Sequence, residues 1–227
     1  MRRSSDAVVS RETSGAATLG PTPDAVRELA GDRAPLLRRY AERLCDDAAP
    51  RGLIGPREVP RLWERHILNC LVVAPLLPPG ARMADVGTGA GLPGLVLAIN
   101  RPDLRVVLIE PLLRRTVFLA DVVADLELSN VQVHRGRAEE FTGPRFDVVV
   151  ARALAPLTRL LTWCLPLVQP GGEIVALKGS TAASELAAAE PFLRSAGASS
   201  WSVEQVGADY VDPPTTVIRV AVGRSPR

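Results

Sequence analysis

The sequence predicts an α/β protein, a mostly parallel, doubly wound, seven-stranded sheet with helices on both faces and a helical extension at its N-terminal side. Three observations predict it. After residue 80, short β-like apolar runs alternate with segments of helix length, the rhythm of strand–helix–strand units. The first run leads directly into Asp85-Val86-Gly87-Thr88-Gly89-Ala90-Gly91-Leu92-Pro93-Gly94, with four glycines in ten positions. The last two runs, 200–206 and 216–222, have no helix-length segment between them and are expected to pair antiparallel.

Residues 1–20 open with Met1-Arg2-Arg3 but lack a continuous apolar stretch, so they read as a disordered Ser/Thr/Ala/Gly-rich tail and not as a signal peptide. Leu29, Leu36, Leu37, Tyr40 and Leu44 have helical spacing, which predicts a helix from about Asp24 to Asp47. Trp63, Ile67, Leu68 and Leu71 predict a second, from about Glu58 to Leu77, ended by Pro78-Pro79-Gly80. Strands follow at 82–86, 105–109, 131–134, 146–150 and 173–177, and helices at 92–101, 114–127, about 156–168 and 181–196. The expected organisation is a tail (1–20), a helical extension packed on the core (21–79), a cofactor-binding domain (80–223) and a short tail (224–227).

A chain of 227 residues that is 47% hydrophobic and 23% charged suits one soluble α/β domain. Its apolar runs are too short to span a bilayer, so no membrane partner is expected. Cys45, Cys70 and Cys164 are far apart with no C-x-x-C pair, which predicts neither disulfides nor a metal site and places the chain in the reducing cytoplasm. Net charge is only +2, but Arg33, Arg38, Arg39, Arg43, Arg51, Arg57, Arg61, Arg65 and His66 gather ahead of the glycine turn. They form either a phosphate-facing surface or a solvated helix face.

The glycine turn admits two cofactors. Gly89-Ala90-Gly91-Leu92-Pro93-Gly94 fits the dinucleotide pattern G-x-G-x-x-G, whereas Asp85-Val86-Gly87-Thr88-Gly89-Ala90-Gly91 fits the acidic turn of S-adenosylmethionine (SAM) enzymes. Asp85 would oppose a pyrophosphate but tolerates an ammonium and a sulfonium. Pro93 has no N–H to offer a phosphate. Glu110, closing the second run, is placed to reach ribose hydroxyls in either case. The balance favours SAM, bound at Asp85, Gly87, Gly89, Leu92 and Glu110, with a dinucleotide reductase as the alternative. After the third run, Arg137-Ala138-Glu139-Glu140 can offer a backbone N–H and a carboxylate to adenine, or it is simply an acidic helix start.

The loop after the fourth run, Ala151-Arg152-Ala153-Leu154-Ala155-Pro156, carries no Cys, Asn or Tyr to activate a methyl acceptor. An acceptor already nucleophilic at neutral pH, such as guanine N7, suits it. Arg152 and Lys178 both fall at expected carboxyl ends of strands and are the candidate catalytic residues. Lys178 is the only lysine among 27 Lys and Arg residues, so a compact ammonium is either required there or a chance survivor.

Arg65-His66-Ile67-Leu68-Asn69, the turn from Asp85 to Gly94, Ala98-Ile99-x-x-Pro102, Arg152-Ala153 and Ala176-Leu177-Lys178-Gly179 occur in this order. Together they resemble the RsmG (GidB) family of 16S rRNA methyltransferases, which modify N7 of guanine 527; the arginine-rich composition resembles an actinobacterial member. The resemblance implies a class I SAM-dependent, Rossmann-like methyltransferase fold. It also implies that Gly87, Leu92, Ala138, Glu139 and Arg152 contact SAM, and that the partner is 16S rRNA within the small ribosomal subunit. A monomer is expected. One departure is Asn69-Cys70, where the family often has Asp-Ser. With 4% aromatic residues and no base-stacking sheet motif, recognition is expected to rest on target shape and arginines. A small-molecule SAM methyltransferase and a non-catalytic SAM-binding regulator are the competing readings.

Overall fold

The computed structural model describes residues 19–223. The tails expected at 1–20 and 224–227 therefore lie almost wholly outside the described residues. The seven-stranded sheet has the order β3-β2-β1-β4-β5-β7-β6. Its strands are β1 (Arg82–Val86), β2 (Arg105–Glu110), β3 (Val131–Arg135), β4 (Phe146–Arg152), β5 (Val168–Lys178), β6 (Ala198–Val206) and β7 (Thr215–Val222). The first five are parallel; β7 inserts antiparallel between β5 and β6, so the expected closing pair is present and one of its strands is internal.

Strands β1 and β4 are nearly continuous apolar runs because helices cover both sides. Along β1, Met83 packs on one face of the sheet while Ala84 and Val86 pack on the other. Helices α4 (Gly94–Asn100) and α5 (Leu113–Asp125) share the first face with the N-terminal helices. Helices α6 (Leu157–Cys164) and α7 (Ala182–Ser195) cover the second. Leu37, Tyr40, Leu44, Leu62 and Ile67 from the extension are fully buried in the same cluster as Met83, Leu95 and Leu97.

The two long helices expected in the extension are broken. The first divides into α1 (Asp24–Ala30), a 3₁₀ turn at Gly31–Arg33, α2 (Ala34–Arg43) and a π-helical turn at Leu44–Ala48. Gly31, at φ 50, supplies the break. The second consists of a 3₁₀ segment at Pro56–Arg61, a π-helical segment at Leu62–Leu68, one α-turn α3 (Asn69–Leu71) and a 3₁₀ turn at Ala74–Leu76. Pro60 lacks the N–H that a regular helix would use. Apolar spacing survives these changes of pitch, which is why it concealed them. No helix among the described residues is long and apolar enough to cross a membrane.

Candidate functional site

The chain order reverses between β1 and β4, and open α/β sheets bind ligands outside the carboxyl ends of strands at such a point. The turn after β1 passes through Gly87 (φ 69), Gly89 (φ 63) and Gly91 (φ 103), left-handed conformations that residues with a Cβ rarely take. The Gly87 N–H reaches the Ile109 carbonyl at 2.9 Å, tying the turn to β2. Asp85 is fully buried beneath it. Its Oδ2 accepts hydrogen bonds from Thr88 Oγ1 and, at 2.7 Å, from the Gly94 N–H. A Cβ at Gly94 would collide with this carboxylate. The structure thus seats Asp85 under the turn, as a brace between β1 and α4. Burial pushes its carboxyl up to about 6, against the hydrogen bonds from Thr88 and Gly94, and its Oδ1 has no hydrogen-bond partner.

Glu110 ends β2 and is also buried. Its Oε2 accepts from the Gly89 N–H at 3.0 Å and from Arg115 at 3.4 Å, and its Oε1 accepts the Leu112 N–H at 3.1 Å. The Gly136 N–H, after β3, reaches the Glu110 carbonyl at 3.2 Å and brings the 3₁₀ turn Ala138–Glu140 to the same edge. Ala138 is buried and Glu139 exposed there; Leu92 is buried before the cis Leu92–Pro93 bond. Gly87, Gly89, Glu110, Ala138 and Glu139 therefore surround the ends of three adjacent strands. A Cβ added at Gly89 would meet nothing nearer than the Gly87 carbonyl oxygen at 4.0 Å, so this glycine leaves an open approach to the backbone. A Cβ at Gly87 would collide with Leu154. The loop carrying Leu154 passes through Ala153 at φ 50, an uncommon conformation for a residue with a side chain.

Beside the turn lies a cleft of about 1650 Å³. Residues 153–156, the end of β5, the 58–69 segment and the 210–216 loop enclose it. Of the candidate residues, Arg152 and Lys178 line this cleft, and the glycines and Glu110 do not. The Arg152 guanidinium donates to His66 Nδ1, to the His66 carbonyl at 3.4 Å and to Cys70 Sγ at 3.5 Å. On its other side, His66 Nε2 lies 2.7 Å from Glu58 Oε2. Burial lowers the His66 pKa below 6.5, the Arg152 cation adds to this, and the Glu58 hydrogen bond opposes it. Burial pushes the Cys70 thiol up to about 11. Lys178 Nζ donates to the Ala155 carbonyl and to Glu185 Oε2, both at 2.7 Å. Both candidate cations are thus tied to protein acceptors.

The arginine surface divides. Arg38 pairs with Glu42, Arg39 and Arg43 with Asp125, and Arg43 also with Asp47. Arg61 and Arg65 instead line the cleft, Arg65 at 3.8 Å from Glu58. His66, grouped with these cations in the sequence, is buried. Sequence reasoning assigned no site role to Glu58, Cys70, Leu154 and Glu185. No local pattern marks them, because each acquires its role from a partner on another element.

The family model described as rRNA small subunit methyltransferase G matches residues 33–211. A protein named ribosomal RNA small subunit methyltransferase G from Streptomyces avermitilis is 56% identical over 213 residues, covering 93% of this chain and 90% of its own. One of the same name from Thermobifida fusca is 57% identical over 200 residues, covering 88% and 84%. Among solved structures, the S-adenosylmethionine-dependent methyltransferase SibL superposes with a TM-score of 0.57 at 18% identity, over 87% of this chain and 70% of its own. A SAM-dependent O-methyltransferase from Thermotoga maritima gives 0.55 at 15% identity, over 70% and 66%. These likenesses establish the class I methyltransferase fold.

Proposed function

Since the chain belongs to the rRNA small subunit methyltransferase G family, we propose that it transfers a methyl group from SAM to N7 of guanine 527 in 16S rRNA. The substrate is 16S rRNA within the small ribosomal subunit, and the enzyme works as a monomer in the cytoplasm. One observation carries the choice of acceptor. The inner titratable groups of the cleft are already committed to one another. Glu58 holds His66, His66 faces Arg152, and Glu185 holds Lys178. Cys70, beside Arg152, is buried with its thiol pushed to about 11, which leaves little thiolate for a covalent adduct. Guanine N7 has a free lone pair and no proton to lose, so an acceptor of this kind needs no general base.

The residues at the strand ends fit SAM. The open backbone at Gly89 and the carboxylate of Glu110 suit an uncharged ribose and a cationic sulfonium better than a pyrophosphate. Bound there, SAM supplies an electrophilic methyl carbon. Gly87, Gly89 and Leu92 shape its seat, Glu110 orients the turn, and Ala138 and Glu139 stand where adenine would be read. Asp85 holds the turn against α4 from below. Arg152 and Lys178 define the wall facing the acceptor. Catalysis then rests on holding N7 in line with the methyl carbon at about 3–3.5 Å, a matter of positioning and of excluding water. Arg61 and Arg65 at the cleft wall suit RNA phosphates.

The test is incubation of the purified protein with labelled SAM and unmodified small subunits, followed by borohydride–aniline cleavage. Strand scission at a single guanine supports the reading. Label on an oxygen or an exocyclic amine, or equal activity on a naked oligonucleotide, rejects it.

A further inference from the structure

The Glu58–His66–Arg152 chain spans two parts of the protein with no sequence proximity. Glu58 belongs to the 3₁₀ segment and His66 to the π-helical segment of the extension, while Arg152 is the last residue of β4. The extension thereby reaches the wall of the cleft. A guanidinium has five N–H donors and no acceptor, and it stays charged. The His66 nitrogen that faces it, Nδ1, must therefore offer a lone pair, which puts the ring proton on Nε2. There Glu58 Oε2, at 2.7 Å, accepts it. The direction of every hydrogen bond in the chain is thus settled by chemistry. The imidazole is neutral, carboxylate on one side and guanidinium on the other.

Geometry supports the same assignment at the backbone. The His66 carbonyl also accepts from Arg152 at 3.4 Å, so one residue takes two of the fork's donors. Residues 62–68 are π-helical, a local widening frequent at functional sites. His66 is buried, so it is not a surface cation for RNA.

We propose that His66, with Glu58 behind it, is a positioning residue for methyl transfer, holding the Arg152 guanidinium in one orientation at the cleft wall. The proposal rests on the reading that this cleft receives the methyl acceptor, and it assigns the Arg-His box a function that goes beyond packing.

Two substitutions separate the two sides of the ring. His66→Asn places an amide oxygen near the former Nδ1 and keeps an acceptor for Arg152. His66→Gln places an amide near the former Nε2, keeps the link to Glu58, and leaves Arg152 without its imidazole acceptor. Methyl transfer to small subunits should fall in kcat by roughly 10- to 100-fold in His66→Gln and only about threefold in His66→Asn, with KM for SAM changed less than kcat. In an Arg152→Lys background the difference between Asn and Gln should shrink to less than about twofold. Equal losses in both variants, or an undiminished difference in the Arg152→Lys background, would overturn the proposal.

A second readout needs no activity. The chain has only two histidines, His66 and His134, so ¹⁵N spectra of the imidazoles can be assigned by deleting either. His66 should be the neutral Nε2–H tautomer at neutral pH, and Arg152→Lys should shift its Nδ1 resonance. An Nδ1–H tautomer, or a spectrum indifferent to Arg152, refutes the chain of bonds. If the wild-type protein instead methylates a different acceptor, the functional reading fails while the spectra still decide the Glu58–His66–Arg152 chain of bonds.

Discussion

Lys178 Nζ lies 2.7 Å from Glu185 Oε2, and the same carboxylate oxygen accepts the Leu157 N–H at 2.8 Å. With Lys178 also bonded to the Ala155 carbonyl, one ion pair fastens the end of β5, the start of α7, the loop after β4 and the first turn of α6. The Lys178 side chain is only 8% exposed, so water replaces these bonds poorly. Burial alone would raise the Glu185 pKa, but the hydrogen bonds from Lys178, Thr181 and Leu157 hold it below its usual range.

Lys178→Ala should therefore act through the loop. Methyl transfer is expected to fall at least about tenfold while the SAM Kd moves little, and unfolding free energy should drop by about 1–3 kcal/mol. Glu185→Gln, which keeps an oxygen for Leu157, should lose less than Glu185→Ala. Denaturant melts and titration of SAM by calorimetry check both statements, and turnover unaffected by Lys178→Ala would remove the ion pair from the mechanism.

Leu154 covers Gly87. If this side chain must move for the cofactor to enter, Leu154→Ala should tighten SAM binding about 3- to 10-fold by removing a competing arrangement of the loop. Isothermal titration measures this directly. Weaker binding in the variant would mean that Leu154 is part of the seat and not a cover.

Asp85 provides a pH signature of stability. Its buried carboxyl titrates at about 6, above the 3.8 of an ordinary aspartate. Its contribution is full below about 3.8 and is lost as pH rises through about 6, because the folded state resists ionisation. Asp85→Asn should flatten the dependence of thermal stability on pH between about 4 and 6. Parallel curves for the variant and wild type would show that Asp85 ionises without penalty.

His66 has the opposite sign. Glu58, Arg65 and Arg152 are the charged groups around it, and burial with the nearby arginines lowers its pKa below 6.5. Its contribution is present above 6.5 and lost as pH falls through the lowered value. A kcat profile should show an acid limb below about 6.5, and Glu58→Ala should move that limb to lower pH, since Glu58 favours the imidazolium. An unchanged limb in Glu58→Ala would assign it to another group.

Arg61 and Arg65 line the cleft, the Arg65 side chain being 58% exposed and only loosely paired with Glu58 at 3.8 Å. Each one replaced by Ala should raise KM for small subunits and lower the slope of log KM against log salt by about 0.7–0.9. The KM for SAM should stay constant. A salt slope identical to that of wild type would exclude phosphate contacts at these positions.

Much of the fold was legible because parallel strands buried on both faces read as uninterrupted apolar runs. Val106–Ile109 and Val148–Ala151 are buried throughout, and each was recognisable without its neighbours. The glycine turn was legible for a related reason, since left-handed backbone at Gly87, Gly89 and Gly91 needs residues without a Cβ. Breaks in the extension were not legible. Leu62, Trp63 and Ile67 reach the core through a π-helical segment as readily as through an α-helix, so their spacing did not record the pitch.

Local composition by itself determined the α/β class, the glycine turn, the family and the presence of Arg152 and Lys178 at the sheet edge, because each depends on residues adjacent in the chain. Tertiary structure alone decided what those residues touch. Asp85 turned beneath the backbone, Lys178 closed on Glu185, and His66 left the arginine surface to meet Arg152 across 86 positions. A buried charge or lone pair must find its partner wherever the fold brings one, and sequence distance carries no record of that search.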